Sequence, residues 1–273
     1  MMANDAPTVV LLPGAGDVPA SWLPVQRMLT RPARVHVYDR AGTTPGFEGA
    51  PRTLDACIAE LHAEVRQAGG RVVLVGHSFG GLLAQAYAER RPDRIAGLVL
   101  VDATPVAVAH NRGVAAGFAV SASVARMLRL GARAGLVRML LGMRALPLYP
   151  EQRAFERVAT SDELRTWKAD VEHCVRGGAA AELAAVLPAA REATELTEPS
   201  RLRGVPIRVL ASRAYGPQWE AMQEELAARF EGARVRKIGD RHHNIPMAHP
   251  DFVADAIDEV LAGVSPSEAP RPA

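Results

Sequence analysis

The stretch 72–81 constrains the fold of this chain more than any other. The apolar residues Val72 to Val75 run directly into the pattern Gly-x-Ser-x-Gly, in which the serine is Ser78. A helical pattern of apolar residues follows at once. This order of strand, sharp turn and helix predicts a turn that presents the Ser78 hydroxyl above the end of a sheet as a nucleophile. Gly76 and Gly80 are expected where the strand and the helix pass too close to the turn for a Cβ atom.

Short apolar runs alternate with amphipathic segments along the rest of the chain. The predicted strands are Thr8–Leu12, Val35–Tyr38, Val72–Val75, Leu98–Val101, Ile207–Ala211 and Val235–Ile238. The predicted helices are Trp22–Leu29, Leu54–Gln67, Gly81–Arg91, Trp219–Phe230 and Phe252–Leu261. Such alternation indicates an α/β fold with a mostly parallel, doubly wound sheet.

One region interrupts this alternation, between Asp102 and the strand at Ile207. Its residues are rich in Ala, Leu and Arg, with helix-like spacing and no convincing strand. A structureless loop of about a hundred residues is improbable in a compact domain, so we expect a helical insertion after the strand that ends at Asp102. The predicted boundaries are 1–104 and 201–264 for the core and 105–200 for the insertion. The Pro- and Ser-rich residues 265–273 are predicted to be a disordered tail.

Composition limits the classes of partner. The chain has 273 residues, of which 48% are hydrophobic, and a net charge of +2. Cys57 and Cys174 fit neither a disulfide framework nor a metal-ligand spacing. The first residues lack the pattern of a signal peptide, and the longest weakly polar stretch, Val114 to Ala125, is about 12 residues, too short to cross a bilayer. We therefore expect a cytoplasmic protein with no nucleic-acid or membrane partner.

Every charged residue between Arg112 and Tyr149 is an arginine. Two interpretations stay open at this point. The arginines form a solvated face of amphipathic helices, or they form a cationic rim that attracts an anionic substrate.

Several stretches together resemble one known family. They are the run Val9–Gly16, the turn Tyr38–Gly42, the turn at Ser78, the run Leu98–Asp102 and the stretch His243–Pro246. In this order they resemble the α/β-hydrolase fold superfamily, and within it the serine hydrolases with a helical cap. The resemblance implies that residues 105–200 cover an active site, where a cap excludes water. It says less about the reaction, because this scaffold hosts many chemistries.

The resemblance implies a catalytic serine, histidine and acid. Ser78 would be the nucleophile, and His243 matches the family's His-x-x-Pro pattern as its base. The family's usual acid position falls in Ala211–Pro217, which contains no acid. Asp102, at the end of the neighbouring strand, is the candidate instead, because some relatives take the acid from that strand. The alternative for Asp102 is a residue that only caps a loop.

Two backbone N–H groups are the candidate oxyanion hole. One belongs to Phe79, directly after the nucleophile. The other belongs to Ala15, since the turn Pro13–Gly16 resembles the family's His-Gly-x-Gly loop, with Pro13 in place of the histidine. Gly14 and His77, which flank these donors, are the candidate substrate-binding residues.

The residues favour a serine hydrolase that cleaves an ester or thioester of a small, largely apolar molecule. A carbon–carbon bond hydrolase or a lyase would use the same residues. The missing usual acid and the replacement of the loop histidine by Pro13 leave open a second class, in which the pocket serves a cyclase, an isomerase or a ligand-binding module. The absence of an aspartate at position 78 argues against a dehalogenase or epoxide hydrolase. No cofactor or metal is expected, and the oligomeric state is left open.

Overall fold

The computed structural model describes residues 6–40, 53–132, 134–145 and 149–264. The predicted disordered tail, 265–273, lies outside the described residues. Six strands form one sheet: β1 (Thr8–Leu12), β2 (Arg34–Val37), β3 (Val72–His77), β4 (Ile95–Val101), β5 (Ile207–Ala211) and β6 (Val235–Lys237). Their order is β2-β1-β3-β4-β5-β6, and all neighbouring pairs are parallel. The prediction of a parallel α/β sheet is confirmed.

Helices cover the sheet and fill the connections. They are α1 (Leu23–Met28), α2 (Leu54–Ala68), α3 (Phe79–Arg90), α4 (Arg112–Ala132), α5 (Leu136–Gly142), α6 (Tyr149–Val158), α7 (Ser161–Arg176), α8 (Ala179–Glu192), α9 (Pro217–Ala228), α10 (Ile245–Ala248) and α11 (Pro250–Gly263). Short 3₁₀ turns lie at Pro19–Trp22, Pro92–Arg94, Val106–His110 and Thr194–Thr197.

The two faces of the sheet carry separate apolar cores, because successive side chains of a strand point to opposite faces. Val10 and Leu12 of β1 pack on one side in a core that also contains residues of α2, α3 and α9. Val9 and Leu11 pack on the other side with residues of α11. All five residues of β1 and all six of β3 are buried. Strands buried on both faces explain why the sequence shows continuous apolar runs here.

The strand order places a crevice at the carboxyl end of the sheet. β1 has β2 on one side and β3 on the other, so the connections after β1 and β3 leave in opposite directions. In open α/β sheets, ligands bind at such a point, outside the carboxyl ends of the strands. The loop after β1 and the turn at Ser78 after β3 both open at this crevice.

The connection from β4 to β5 is helical in its described part. It contains α4 to α8, and a third apolar core joins them to the loops of the sheet. Phe155, Trp167 and Val171 of this segment pack with Val18 and Met247. The helical segment therefore sits against the loops at the carboxyl end of the sheet.

Helix α4 departs from the sequence expectation. It runs unbroken from Arg112 to Ala132, and by length and composition it is apolar enough to cross a membrane. The sequence predicts a weakly polar stretch of only about 12 residues here, Val114 to Ala125, which is too short to cross a bilayer. The observed helix is longer, because Arg126 and Arg129 lie within it and do not end it. Among the described residues, Cys57 and Cys174 form no disulfide and both are buried, as expected for small apolar groups.

Candidate active site

Ser78 occupies a strained turn between β3 and α3. Its φ of 51° is positive, a conformation that non-glycine residues rarely adopt. A Cβ on Gly76 would lie 2.5 Å from the Gly80 carbonyl oxygen, and a Cβ on Gly80 would lie 2.2 Å from that of Leu12. The predicted reason for both glycines therefore holds.

Ser78, His243 and Asp102 form one continuous chain of hydrogen bonds. The Ser78 Oγ lies 2.9 Å from Nε2 of His243. The other ring nitrogen, Nδ1, lies 2.7 Å from Oδ2 of Asp102. Because the carboxylate accepts from Nδ1–H, the Nε2 lone pair faces the hydroxyl, which is the tautomer a general base needs.

Asp102 is buried and receives further donors. The Ser212 hydroxyl donates to Oδ2 at 2.8 Å, and the Trp219 indole N–H donates to Oδ1 at 2.8 Å. The Ser212 backbone N–H also donates to Oδ1, at 3.2 Å. Burial alone raises the pKa of the Asp102 carboxyl, but hydrogen bonding and attraction by His243, with Trp219 and Ser212, more than offset it. The net pKa lies below its ordinary value, so the carboxylate is charged at neutral pH.

The two backbone N–H groups that the sequence predicts as oxyanion donors have no partner in the described part of the structure. Within the described residues, neither the Ala15 N–H nor the Phe79 N–H makes a hydrogen bond. Phe79 is the first residue of α3, where backbone N–H groups lack helical partners and the helix dipole favours negative charge. The loop after β1 lies against the serine, because a Cβ on Gly14 would be 3.3 Å from the Cβ of Ser78.

A buried ion pair supports the loop after β1. Arg40 donates to the carbonyl oxygens of Pro13 and Gly14. Its guanidinium binds both carboxylate oxygens of Glu182 on α8, at 2.7 and 3.0 Å. Glu182 also accepts from the Gly16 N–H at 2.9 Å. Burial opposes the charge on Arg40, but attraction by Glu182 more than offsets it and raises the pKa of Arg40.

His77 holds two loops together. Its Nε2 lies 3.0 Å from the carbonyl oxygen of His243, and only 2% of the residue is exposed. A Cβ on Gly14 would lie 2.9 Å from its Nδ1. Burial, with a smaller contribution from His243, lowers the pKa of His77 to about 3. The ring is therefore neutral, and the 3.8 Å approach of Nδ1 to Asp17 is not an ion pair. The sequence-predicted role of His77 and Gly14 in substrate binding stays a prediction.

The solvent side of the site is aromatic and is bordered by α6. The Tyr215 ring lies 5.0 Å from the His243 ring and remains 53% exposed. Glu151 of α6 lies 3.1 Å from Nδ1 of His242. Tyr215 stands in the segment where the resemblance places an acid. Among the described residues, no group of acid, histidine and cysteine side chains could hold a metal ion.

Sequence reasoning named Ser78, His243 and Asp102, and the structure brings them together. Sequence reasoning missed the contacts of Ser212 and Trp219 with Asp102 and the pairing of Arg40 with Glu182. Ser212 and Trp219 lie 110 and 117 positions from Asp102, and Glu182 lies 142 positions from Arg40, so no local spacing signals these partners.

Comparisons with known proteins agree with this geometry. The family model described as the alpha/beta hydrolase family matches residues 9–256. The pimeloyl-[acyl-carrier protein] methyl ester esterase of Aromatoleum aromaticum is 30% identical over 269 residues, 94% of this chain and 99% of that protein. RutD of Stutzerimonas stutzeri, which carries the name of a carbamate hydrolase, is 37% identical over 105 residues, only 37% of this chain and 40% of its own length.

Solved structures show the same fold at low identity. The epoxide hydrolase of Bacillus megaterium superimposes with a TM-score of 0.68 at 12% identity, covering 94% of each chain. A thermophilic esterase from Thermogutta terrifontis gives a TM-score of 0.57 at 24% identity, covering 95% of this chain and 90% of its own. With the family model matching nearly the whole length, the chain belongs to the alpha/beta hydrolase family of enzymes.

Proposed function

We propose that this protein is a serine hydrolase that cleaves an ester or thioester through an acyl-enzyme on Ser78. The observation that carries the proposal is the unbroken chain of hydrogen bonds from the Ser78 hydroxyl through His243 to Asp102. An activated serine nucleophile needs a base within hydrogen-bond reach and a third group that orients the base.

The first half of the reaction forms the acyl-enzyme. Ser78 Oγ attacks the carbonyl carbon while its proton passes to Nε2 of His243. The carbonyl oxygen becomes an oxyanion, which the N–H groups of Ala15 and Phe79 stabilise because they are already oriented and unpaired. The tetrahedral intermediate then collapses, and His243 gives its proton to the departing alcohol or thiol. Asp102 stabilises the imidazolium while it carries that proton.

The second half returns the enzyme to its starting state. A water molecule attacks the acyl carbon and gives its proton to His243. Collapse of this second intermediate breaks the bond to Ser78 Oγ, which takes the proton back. The products are a carboxylic acid and the free enzyme.

The substrate proposed is small and largely apolar. The Tyr215 ring lies beside the His243 ring and is 53% exposed, which favours apolar groups near the reacting carbonyl. The relative that matches nearly the whole chain is named as a methyl ester esterase, which supports an ester. The helical segment 105–200 acts in this proposal as the cap, supported by the contacts of Glu151 and Glu182 with the site loops.

Hydrolysis is favoured over a cyclase, an isomerase, a lyase or a ligand-binding module. The doubt against hydrolysis rested on two departures from the family pattern, the missing usual acid and Pro13. Asp102 lies where that acid is needed, and Arg40 with Glu182 supports the loop that contains Pro13. A small-molecule partner and a cytoplasmic location remain predictions.

A chain-length series of p-nitrophenyl esters tests the proposal. We expect turnover of one or more esters by the wild type, and in Ser78→Ala a fall in kcat of about 10⁴-fold or more. Ser123→Ala removes an exposed hydroxyl on α4 and should leave turnover unchanged. Folded wild type that hydrolyses no ester or thioester, or full activity in Ser78→Ala, would overturn the proposal.

A further inference from the structure

Helix α4 turns an apolar face toward solvent. The residues at positions 116, 120, 123, 127 and 130 recur every three or four residues and therefore share one face. The large side chains among them are strongly exposed: Val120 is 62%, Met127 71% and Leu130 86% exposed. With Ala116 and Ser123 they form what we call the α4 stripe, which is about 21 Å long at the helical rise.

The stripe is not the inward face of the helix. The buried positions of α4 are Ala122, Ala125 and Ala132, and the helix packs through its other side against α7 and α8. The neighbouring helix α5 exposes Met139 and Met143, at 52% and 67%. Single exposed apolar residues are ordinary, but a row of large ones marks a contact surface.

The charged side chains on α4 itself have one sign. The described residues 112–145 contain five charged side chains, and all of them are arginines: Arg112, Arg126, Arg129, Arg138 and Arg144. Arg138 and Arg144 of the following segment are ion-paired with Glu172 and Glu156, so their charge is already balanced. Arg112 and Arg126 are exposed on α4, one turn before Ala116 and next to Met127 respectively. The partner must therefore accept apolar side chains and carry negative charge.

We propose that the α4 stripe lies on the surface of a bilayer that contains anionic phospholipids. Helices that bind in the membrane interface bury an apolar face at the level of the acyl boundary and place Arg or Lys beside the headgroups. Long arginine side chains reach from an apolar surface to phosphate, and each adds attraction to an anionic leaflet. The proposal departs from the expectation, drawn from the sequence alone, of no membrane partner.

Other occupants fit the surface less well. In a twofold contact between two copies, the arginines of one copy would face those of the other, which repels. An acidic protein would satisfy the arginines, but a convex helix offers it no groove for anchoring side chains. A helix that spans the bilayer would have to bury Arg126 and Arg129 and leave its packing against α7 and α8, so α4 lies on the membrane instead.

Co-sedimentation with sucrose-loaded vesicles tests the proposal at low ionic strength. The full chain should bind vesicles of equal phosphatidylcholine and phosphatidylglycerol, and bind pure phosphatidylcholine at least about tenfold more weakly. Met127→Gln/Leu130→Gln keeps the charge and should weaken binding by about tenfold or more. Arg112→Gln/Arg126→Gln should weaken binding to the anionic vesicles alone, by about tenfold or more.

The matched control places the same side chain on other exposed helices. Ala59 of α2 and Ala221 of α9 are exposed, and Ala59→Gln/Ala221→Gln should bind like the wild type. Ser78→Ala should also bind like the wild type, so this result does not depend on the proposed reaction. Three results overturn the proposal. Folded wild-type protein does not bind anionic vesicles, Met127→Gln/Leu130→Gln binds them as well as the wild type, or the wild type forms a stable dimer in solution that the Met127→Gln/Leu130→Gln substitutions dissociate.

Discussion

At the scale of single residues, the charge on Asp102 depends on two side chains that no motif contains. Trp219 and Ser212 donate to a carboxylate that is fully buried. A hydrogen bond to a buried charge contributes more than a neutral one, and the group left unpaired costs more still. The stabilisation that the Trp219 indole N–H contributes therefore depends on the charge of the Asp102 carboxylate.

Trp219→Phe should lower the free energy of unfolding by about 1.5–3 kcal/mol at pH 7, beyond the packing cost. The pKa of Asp102 is lowered below 3.8, so this stability is present above that pH and is lost as the carboxylate is protonated. The difference from wild type should therefore shrink as the pH falls below 3.8. Trp167→Phe is the control, because Trp167 is buried and its N–H has no partner in the described chain. Denaturant unfolding at several pH values measures this, and an equal Trp219→Phe deficit at pH 7 and in acid contradicts it.

His77 gives a second pH dependence of stability, and here the titrating group is a base rather than an acid. Its pKa is about 3 in the fold against 6.5 for the ordinary side chain, so between these values the unfolded chain binds the extra proton. Stability therefore falls as pH decreases through this window, by up to about 1.4 kcal/mol per pH unit from this group. His77→Gln should remove that slope, and His36→Gln, at an exposed histidine, should keep it. If the unfolding free energies of wild type and His77→Gln change equally with pH between about pH 4 and pH 7, the buried ring is not neutral as described.

At the scale of elements, the turn between β3 and α3 depends on close backbone contact. Gly80→Ala would put a Cβ 2.2 Å from the Leu12 carbonyl oxygen, so β1 and α3 must separate. We expect a loss of about 3 kcal/mol or more in unfolding free energy. Gly117→Ala is the matched control, because nothing lies within 4 Å of its added Cβ and the helix gains about 0.5–1 kcal/mol from alanine. Equal thermal midpoints for the two variants would show that the close contact with the Leu12 carbonyl oxygen does not require glycine at position 80.

The ion pair of Arg40 with Glu182 joins the helical segment to the loop after β1. Both side chains are at most 1% exposed, so Glu182→Gln removes a buried carboxylate that binds the guanidinium at two points. Breaking such a pair costs about 3–5 kcal/mol. Glu259→Gln, at an exposed carboxylate that pairs with Arg208 and Arg236, should cost about 1 kcal/mol or less. Denaturant midpoints compare the two, and a Glu182→Gln protein as stable as Glu259→Gln would rule out the supporting role.

At the scale of the whole molecule, the sequence predicts what local patterns encode. The bounds of β1 and β5 coincide with the predicted runs, because both strands are apolar runs with clear ends. β2 begins one residue earlier than predicted, since the Arg34 N–H bonds the Pro7 carbonyl and edge pairing does not depend on side-chain pattern. Trp219 and Ser212 lie more than a hundred positions from Asp102, and Glu182 lies as far from Arg40, so only the assembled fold brings these groups together.

Covalent labelling with a fluorophosphonate, read by intact mass and peptide mapping, tests most directly whether Ser78 is a nucleophile that His243 activates. The account predicts one adduct per chain, on Ser78, with none in Ser78→Ala and labelling slower by about 10³-fold or more in His243→Gln. A folded wild-type protein that takes up no label, or an adduct that persists in Ser78→Ala, would contradict it.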